Sequence, residues 1–233
     1  MSREVSEVLT RNLENGDIFV DIGANVGFFS RLASEVMDSN GEIYAFEVDI
    51  ENYYVLLKNT NNYSNINALH CAISNSNGFA NINRSTNAAC HSLVNTDNSL
   101  DGSQFSVPAM TLDHFWTHFL GKKTINALKI DVEGAEMMVL EGMERLFAAN
   151  KIETLIIEFC PKIMQNAGFD ESEFYNKIAT NFSIRIIDDE YRSLVKDGAI
   201  NSISDLKTVS NKLLEEKDNA ININLLCKKS KTT

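Results

Sequence analysis

Four acidic residues of this 233-residue chain each stand at the end of a short apolar run. They are Asp21, Glu47, Asp131 and Glu158, and each run has the length and composition of a buried β-strand. Ligands of open parallel sheets bind beyond the carboxyl ends of the strands. A carboxylate there accepts hydrogen bonds from hydroxyl groups, pairs with a cation or removes a proton from a substrate. The four acids therefore predict one ligand site along one edge of a parallel sheet.

A glycine turn follows the first of these acids. Residues 19–29 read Phe-Val-Asp-Ile-Gly-Ala-Asn-Val-Gly-Phe-Phe, which predicts a strand, a tight turn and the start of a helix. Gly23 permits a positive φ and leaves no Cβ where a ligand approaches, and Gly27 lets the helix pack close to the strand. The free N–H groups of the first helical turn attract an anionic group. The turn therefore suits a small ligand with an anionic part.

The position of Glu47 adds a second requirement for that ligand. It ends the next predicted strand, 24 residues after Gly23, and a carboxylate there can accept two hydrogen bonds from a ribose. S-adenosylmethionine combines a ribose with a carboxylate, an ammonium group and a sulfonium ion, so it meets both requirements. We expect it as the cofactor, with the end of the third strand beside its adenine ring. The residues expected to bind it are Asp21, Gly23, Ala24, Asn25, Gly27, Glu47, Val48, Ala72 and Asp131.

The second informative stretch is Lys-Ile-Asp-Val-Glu-Gly-Ala-Glu, residues 129–136. Its three carboxylates crowd a strand end and a first helical turn, where the helix dipole favours negative charge. A carboxylate at this place can act as a general base, and the candidates are Asp131 first, then Glu133 and Glu158. His91, in a polar segment, is a fourth candidate. Asp131 is equally placed to hold the methionine ammonium, and the same acids would suit a catalytic metal, although we expect none.

The composition narrows the class of protein. With 44% hydrophobic residues and two prolines, the chain predicts one domain over residues 1–233. A net charge of −11 and a pI of about 4.8 argue against a nucleic-acid partner, because no basic stripe is present to contact phosphates. Nothing resembles a membrane span or a secretory signal, so no membrane partner is expected. The four cysteines are scattered, which is typical of reduced thiols in a cytoplasmic protein.

Strand and helix patterns alternate along the chain and predict an α/β fold. Residues 1–15 predict an N-terminal helix, and residues 68–73 predict one continuous third strand. Residues 74–120 begin with a segment rich in Asn and Ser and predict a hairpin and a substrate lid inserted within the domain. Residues 182–187 and 220–227 predict the last two strands.

The motifs together resemble the signature of a known family, the FkbM-type S-adenosylmethionine-dependent methyltransferases. The residues that carry the likeness are 20–27, Glu47, 111–113, 129–136 and 157–159. It covers about residues 16–161, and its most specific part is the stretch 129–136. Val48 stands where the family usually has proline, which affects the local turn and not the carboxylate before it.

The resemblance implies a fold and an activity. The fold would be that of a Rossmann-like class I methyltransferase, a doubly wound, mostly parallel sheet of seven strands with one antiparallel strand near the C-terminus. The activity would be transfer of a methyl group from S-adenosylmethionine to a hydroxyl of a sugar or a secondary metabolite. The expected acceptor is therefore a small molecule or a carbohydrate and not a nucleic acid.

Two other classes of function remain as alternatives. A nicotinamide-dependent oxidoreductase is disfavoured because Asn25 stands where the Gly-x-Gly-x-x-Gly pattern has its second glycine. A non-catalytic nucleotide-binding module is disfavoured because all four strand-end acids are present.

Overall fold

The computed structural model describes residues 2–85, 100–216 and 221–229, so the candidate base His91 lies outside the described residues. The strands are β1 (Ile18–Ile22), β2 (Glu42–Glu47), β3 (Ile66–His70), β4 (Ala72–Ile73), β5 (Gly78–Ser85), β6 (Leu100–Met110), β7 (Ile125–Ile130), β8 (Ile152–Phe159), β9 (Phe182–Ile186), β10 (Ala199–Ile200) and β11 (Ile223–Lys229). The helices are α1 (Arg3–Asn12), α2 (Phe28–Val36), α3 (Ile50–Thr60), α4 (Leu112–His118), α5 (Glu136–Glu141), α6 (Glu144–Ala148), α7 (Pro161–Asn166), α8 (Glu171–Ala179) and α9 (Ile203–Glu215). Of these helices, none has the length and apolar character needed to cross a bilayer.

The central sheet has eight strands in the order β10-β9-β11-β8-β7-β1-β2-β3. Strands β3, β2, β1, β7 and β8 pair in parallel, and β11 lies antiparallel between β8 and β9. The predicted α/β class with a mostly parallel sheet is confirmed. The sheet has one strand more than predicted, because β10 pairs antiparallel with β9. That strand has only two residues, too few to give a periodic signal in the sequence.

The central strands end level with one another. β1 is buried along its whole length, as a strand covered on both faces should be. Ile22, its last residue, lies opposite Phe46 on β2 and Ile130 on β7. From β1 the chain adds strands β2 and β3 on one side, and from β7 it adds the later strands on the other side of β1. Ligands of open parallel sheets bind at this point, where the strand order reverses. The segments that follow β1, β2 and β7 therefore meet at one place.

Successive side chains of a strand point to opposite faces of the sheet, so the position of each strand-end acid decides the face on which it lies. One buried cluster packs the sheet against helices α1 and α2, and four strands supply its residues Phe19, Ile43, Ala127 and Ile156. The strand-end acids follow these residues at even spacing, as Asp21, Glu47, Asp131 and Glu158. The four acids therefore belong to the face of the sheet that carries α2.

The third predicted strand is wrong as a single element. β3 ends in the central sheet at His70, and the chain leaves that sheet at Cys71. Ala72 and Ile73 instead pair in parallel with Ala109 and Met110 of β6, in a second sheet of order β4-β6-β5. The split occurs because β3 is an edge strand, and β6 offers residues 72–73 a backbone partner of their own. Strands β5 and β6 of that sheet form an antiparallel pair within the segment where a hairpin was expected.

Candidate active site

A cleft opens where β1, β2 and β7 end, with about 760 Å³ of free space, its mouth included. Concave sites at the carboxyl ends of a parallel sheet are typical places for small molecules and cofactors. Seven of the predicted site residues line it: Gly23, Asn25, Glu47, Val48, Ala72, Asp131 and Glu133. Ile82, from the β5–β6 pair, also lines the cleft, so the second sheet forms part of its wall.

The turn between β1 and α2 has a left-handed backbone at three positions. They are Gly23 (φ 81°), Asn25 (φ 50°) and Gly27 (φ 85°). A Cβ on Gly23 would lie 1.8 Å from the carbonyl oxygen of Asp131, and one on Gly27 would lie 2.5 Å from Cδ1 of Leu56 in α3. The first glycine is therefore required by the neighbouring strand end as well as by φ. The second glycine is favoured by its positive φ, and a Cβ there would meet a side chain of α3 and not, as expected, the strand that precedes it.

Glu47 is tied to the backbone on two sides. Its Oε2 accepts the N–H of Asn25 at 2.7 Å, and its Oε1 accepts those of Val48 at 3.0 Å and Asp49 at 2.8 Å. Burial raises the pKa of Glu47, and these three hydrogen bonds act in the opposite direction. Since a carboxylate has about four acceptor positions, one remains for a ligand. Glu47 thus holds the glycine turn against the end of β2 and keeps an acceptor position at the cleft.

Asp21 lies behind the turn and does not line the cleft. It is completely buried, and the Ser30 hydroxyl donates to its Oδ2 at 2.7 Å. Its Oδ1 has no hydrogen-bond partner within the part of the chain that the structure describes. Burial raises the pKa of Asp21, and the charge of Lys129 opposes that rise. Its position suits the anchoring of helix α2 rather than direct contact with a ligand in the cleft.

Lys129 is the buried cation of the site. Its side chain is 3% exposed, and its Nζ donates to Oδ2 of Asp131 at 2.8 Å. Nζ also lies 5.1 Å from the centre of the Phe29 ring. Burial lowers the pKa of Lys129, but the carboxylates of Asp131, Asp21 and Glu158 together outweigh that effect and the net shift is upward. The lysine therefore stays charged and fixes the carboxylate of Asp131 at the edge of the cleft.

Three carboxylates converge at the ends of β7 and β8. Asp131, Glu133 and Glu158 each offer an oxygen within 4.8 Å of the other two. Burial, followed by the charge of Asp131, raises the pKa of Glu133 to about 7 and holds the pKa of Glu158 well above its usual range. Glu158 does not line the cleft, and its Oε1 accepts a hydrogen bond from the side-chain amide of Asn222. Acidic groups are therefore concentrated at this end of the cleft, and those that are buried hold a proton more readily than usual.

The loop that carries Glu133 is strained. Glu133 has φ 53°, a left-handed conformation that costs a non-glycine residue about 1–3 kcal/mol. Glu136 holds the loop, since its Oε1 accepts the N–H groups of Val132 at 3.0 Å and Gly134 at 3.2 Å. Burial raises the pKa of Glu136 to about 7. Glu136 is thus a structural acid of the loop, a role that the helix dipole alone did not predict.

The comparison with protein families identifies the chain. Residues 21–183 match the family model described as the methyltransferase FkbM domain. The chain belongs to the FkbM methyltransferase family. The resemblance drawn from its motifs is thereby confirmed. A comparison with curated proteins gives no match.

Solved structures share the fold of this FkbM chain. An FkbM methyltransferase from Methylobacillus flagellatus KT gives a TM-score of 0.53 at 15% identity, over 92% of this chain and 44% of that chain. A candidate methyltransferase from Streptococcus mutans, solved with S-adenosylhomocysteine (SAH), gives 0.52 at 11% identity over 99% of both chains. A candidate rRNA methylase from Clostridium thermocellum gives 0.52 at 7% identity, over 97% of this chain and 93% of that chain. At these identities the likeness shows the fold alone. This chain spans less than half the length of the Methylobacillus protein.

The residues predicted for an FkbM site are separated by the structure into two groups. Asp21, Ala24, Gly27 and Glu158 do not line the cleft, whereas the other seven do. Prediction from sequence gave Lys129 no role in the site, although this lysine begins the stretch 129–136 that carries the family resemblance. It also missed several apolar residues of the wall, namely Ile22, Phe46, Cys71, Ile73, Ile82 and Val132.

Proposed function

We propose that this FkbM-family chain is an S-adenosylmethionine-dependent methyltransferase that acts on a hydroxyl of a sugar or another small molecule. The observation that carries the proposal is that carboxylates stand on two sides of one cleft. Glu47 stands on the β2 side with an open acceptor position, and Asp131 and Glu133 stand on the β7 side. Membership of the FkbM family supports the reaction class.

The residues present fit the cofactor. Glu47 would accept a ribose hydroxyl, and the apolar side chains of Val48, Ile73 and Ile82 would pack against the adenine. Asp131 would pair with the methionine ammonium, since Lys129 holds its carboxylate in place. A concentration of acids without matching cations also suits a ligand that carries a sulfonium ion.

The reaction requires little covalent chemistry from the protein. S-adenosylmethionine, when bound, would supply a methyl carbon to the acceptor oxygen, and its sulfur would keep the electron pair of the broken carbon–sulfur bond. The chain must align the three atoms, exclude water and take up the acceptor proton. Glu133 is the best-placed base by geometry, because it lines the cleft and Asp131 is already engaged by Lys129. Glu158 does not line the cleft, so its part in the proton transfer would be indirect.

Ligand binding tests the proposal first. The chain should bind SAH in a calorimetric titration, and SAH at 100 times its dissociation constant should stabilise the fold by about 2.7 kcal/mol. NAD should give no heat in the same cell. Heat with NAD and none with SAH would favour the oxidoreductase alternative and overturn the proposal.

An acceptor screen tests the substrate class. The chain would be incubated with S-adenosylmethionine labelled in its methyl group and with panels of sugars, small hydroxyl compounds and RNA. We expect label in the sugar or small-molecule panel. The argument against RNA rests on the net charge of −11, so label confined to RNA would overturn the acceptor class.

A further inference from the structure

The three converging carboxylates have the spacing of ligands around one ion. Asp131, Glu133 and Glu158 each offer one oxygen, and these oxygens lie within 4.8 Å of one another. Hard divalent cations bind oxygen at about 2.0–2.6 Å, so two ligands on opposite sides of the ion are about 4–5 Å apart. One cation can therefore contact all three side chains, with water or a substrate oxygen completing its coordination.

The charges around these three side chains do not balance. The ammonium of Lys129 contacts the cluster through Oδ2 of Asp131 at 2.8 Å. Glu136, a fourth carboxylate beside the cluster, is 3% exposed and is engaged with the backbone of its own loop. Burying carboxylates without an equal positive charge is unfavourable, and the site can relieve this by taking up protons or by binding a further cation.

The unpaired oxygen of Glu158 is a separate observation that points to a ligand. Glu158 is 6% exposed, and its Oε1 is held by the amide of Asn222. Its Oε2 has no hydrogen-bond partner among the residues described. Buried polar atoms in native proteins almost always have a partner. An outer amide that orients a carboxylate while leaving its second oxygen open is the arrangement seen around metal ligands.

We propose that Asp131, Glu133 and Glu158 bind one hard divalent cation, such as Mg²⁺ or Mn²⁺, on the β7–β8 side of the cleft. Carboxylate oxygens are the ligands that these ions prefer. Each side chain needs to supply only one oxygen, which leaves each carboxylate a second oxygen. This inference replaces the expectation that no metal takes part. The role of this cation in catalysis rests on the proposed function, in which the cation would make a bound acceptor hydroxyl more acidic.

The test is a titration of the full chain, treated with chelator, with MnCl₂. Free Mn²⁺ is followed by electron paramagnetic resonance, with and without saturating SAH. We expect one Mn²⁺ per chain, displaced by excess MgCl₂. Glu158→Gln and Glu133→Gln should each weaken Mn²⁺ binding at least tenfold. Glu215→Gln, at an exposed acid on α9, should bind Mn²⁺ as the wild type does.

Two results would overturn the cation site. One is a wild-type chain that retains no Mn²⁺, and the other is equal Mn²⁺ affinity in the wild type and both glutamine variants. Circular dichroism checks the fold of each variant. If Glu158→Gln unfolds, the Mn²⁺ affinity of Glu133→Gln decides the question, because Glu133 is only half-buried. SAH binding in the same samples separates the two proposals. SAH bound without Mn²⁺ removes only the cation site, and Mn²⁺ bound without SAH removes only the proposed function.

Discussion

The backbone N–H of Asn25 donates to Oε2 of Glu47 at 2.7 Å. One hydrogen bond thus joins the turn after β1 to the end of β2, across 22 residues of sequence. The same carboxylate accepts two further N–H groups from its own turn. Glu47 therefore shapes the cleft before any ligand arrives, and it is both a binding candidate and a structural residue.

We expect Glu47→Ala to weaken SAH binding by about 1.5–3 kcal/mol, the range for a hydrogen bond to a charged group. The free energy of unfolding should also fall by about 1–3 kcal/mol, because three backbone N–H groups lose their acceptor. Calorimetry and chemical denaturation measure the two effects. Glu51→Ala, at an exposed acid on α3, is the matched control. Unchanged SAH affinity in Glu47→Ala would rule out the ribose contact.

Asp131→Asn should lower turnover by about 10²–10⁴-fold if Asp131 acts on the acceptor proton. If it holds the methionine ammonium, the loss will appear in the dissociation constant of S-adenosylmethionine instead. Stability should fall by about 3 kcal/mol in either case, because the buried Lys129 loses its charged partner. Turnover with an acceptor from the screen, cofactor affinity and denaturation should be measured on the same preparation.

The pairing of Lys129 with Asp131 can be measured by a double-mutant cycle. Lys129→Met and Asp131→Asn should each destabilise the chain, and the double variant should lose less than the sum by at least about 1 kcal/mol. The coupling arises because either single change leaves one member of a 2.8 Å ion pair alone. Additive losses would show that the pair contributes nothing to the fold.

Gly23→Ala should destabilise the fold by about 4 kcal/mol or more. The new Cβ would lie 1.8 Å from the backbone oxygen of Asp131, and the positive φ adds strain. Gly16 provides the control, since its φ is +90° but no atom lies within 4 Å of a Cβ there. Gly16→Ala should therefore cost only about 1–2 kcal/mol, the penalty of the left-handed backbone. Equal losses in thermal unfolding would contradict the close approach of β7.

Cys71 should resist alkylation at neutral pH although it lines the cleft. Burial raises its pKa to about 11, and only the thiolate reacts. At pH 8 its thiolate fraction should be about 100-fold below that of a thiol with a pKa near 9, and it should rise as the pH approaches 11. Iodoacetamide labelling with peptide mapping, against glutathione as the reference thiol, measures the ratio. Rapid labelling of Cys71 at pH 7 would contradict it.

Sequence patterns predicted the parts of the site that follow from periodicity. The glycine turn and the four strand-end acids could be placed because alternation and parallel pairing act over every strand in the same way. The part played by Lys129 could not be predicted, since the motif at 129–136 shows the lysine but not its burial or its partners, which depend on register. The break at Cys71 was also hidden, because no glycine, proline or other turn residue stands between Leu69 and Ile73. The partner of Ala72 comes from β6, 37 positions along the chain.

Because of that break, two parts of the cleft wall depend on the same strand, β6. Ala72 and Ile73 take their backbone partners from β6, and β6 pairs with the strand that carries Ile82. A graft that replaced the segment 74–110 with one from another family member would thus exchange the support of the wall on which the adenine is proposed to pack. Experiments that transfer acceptor preference between family members should therefore exchange residues 72–110 as one segment. Cofactor affinity should be measured first in every chimera.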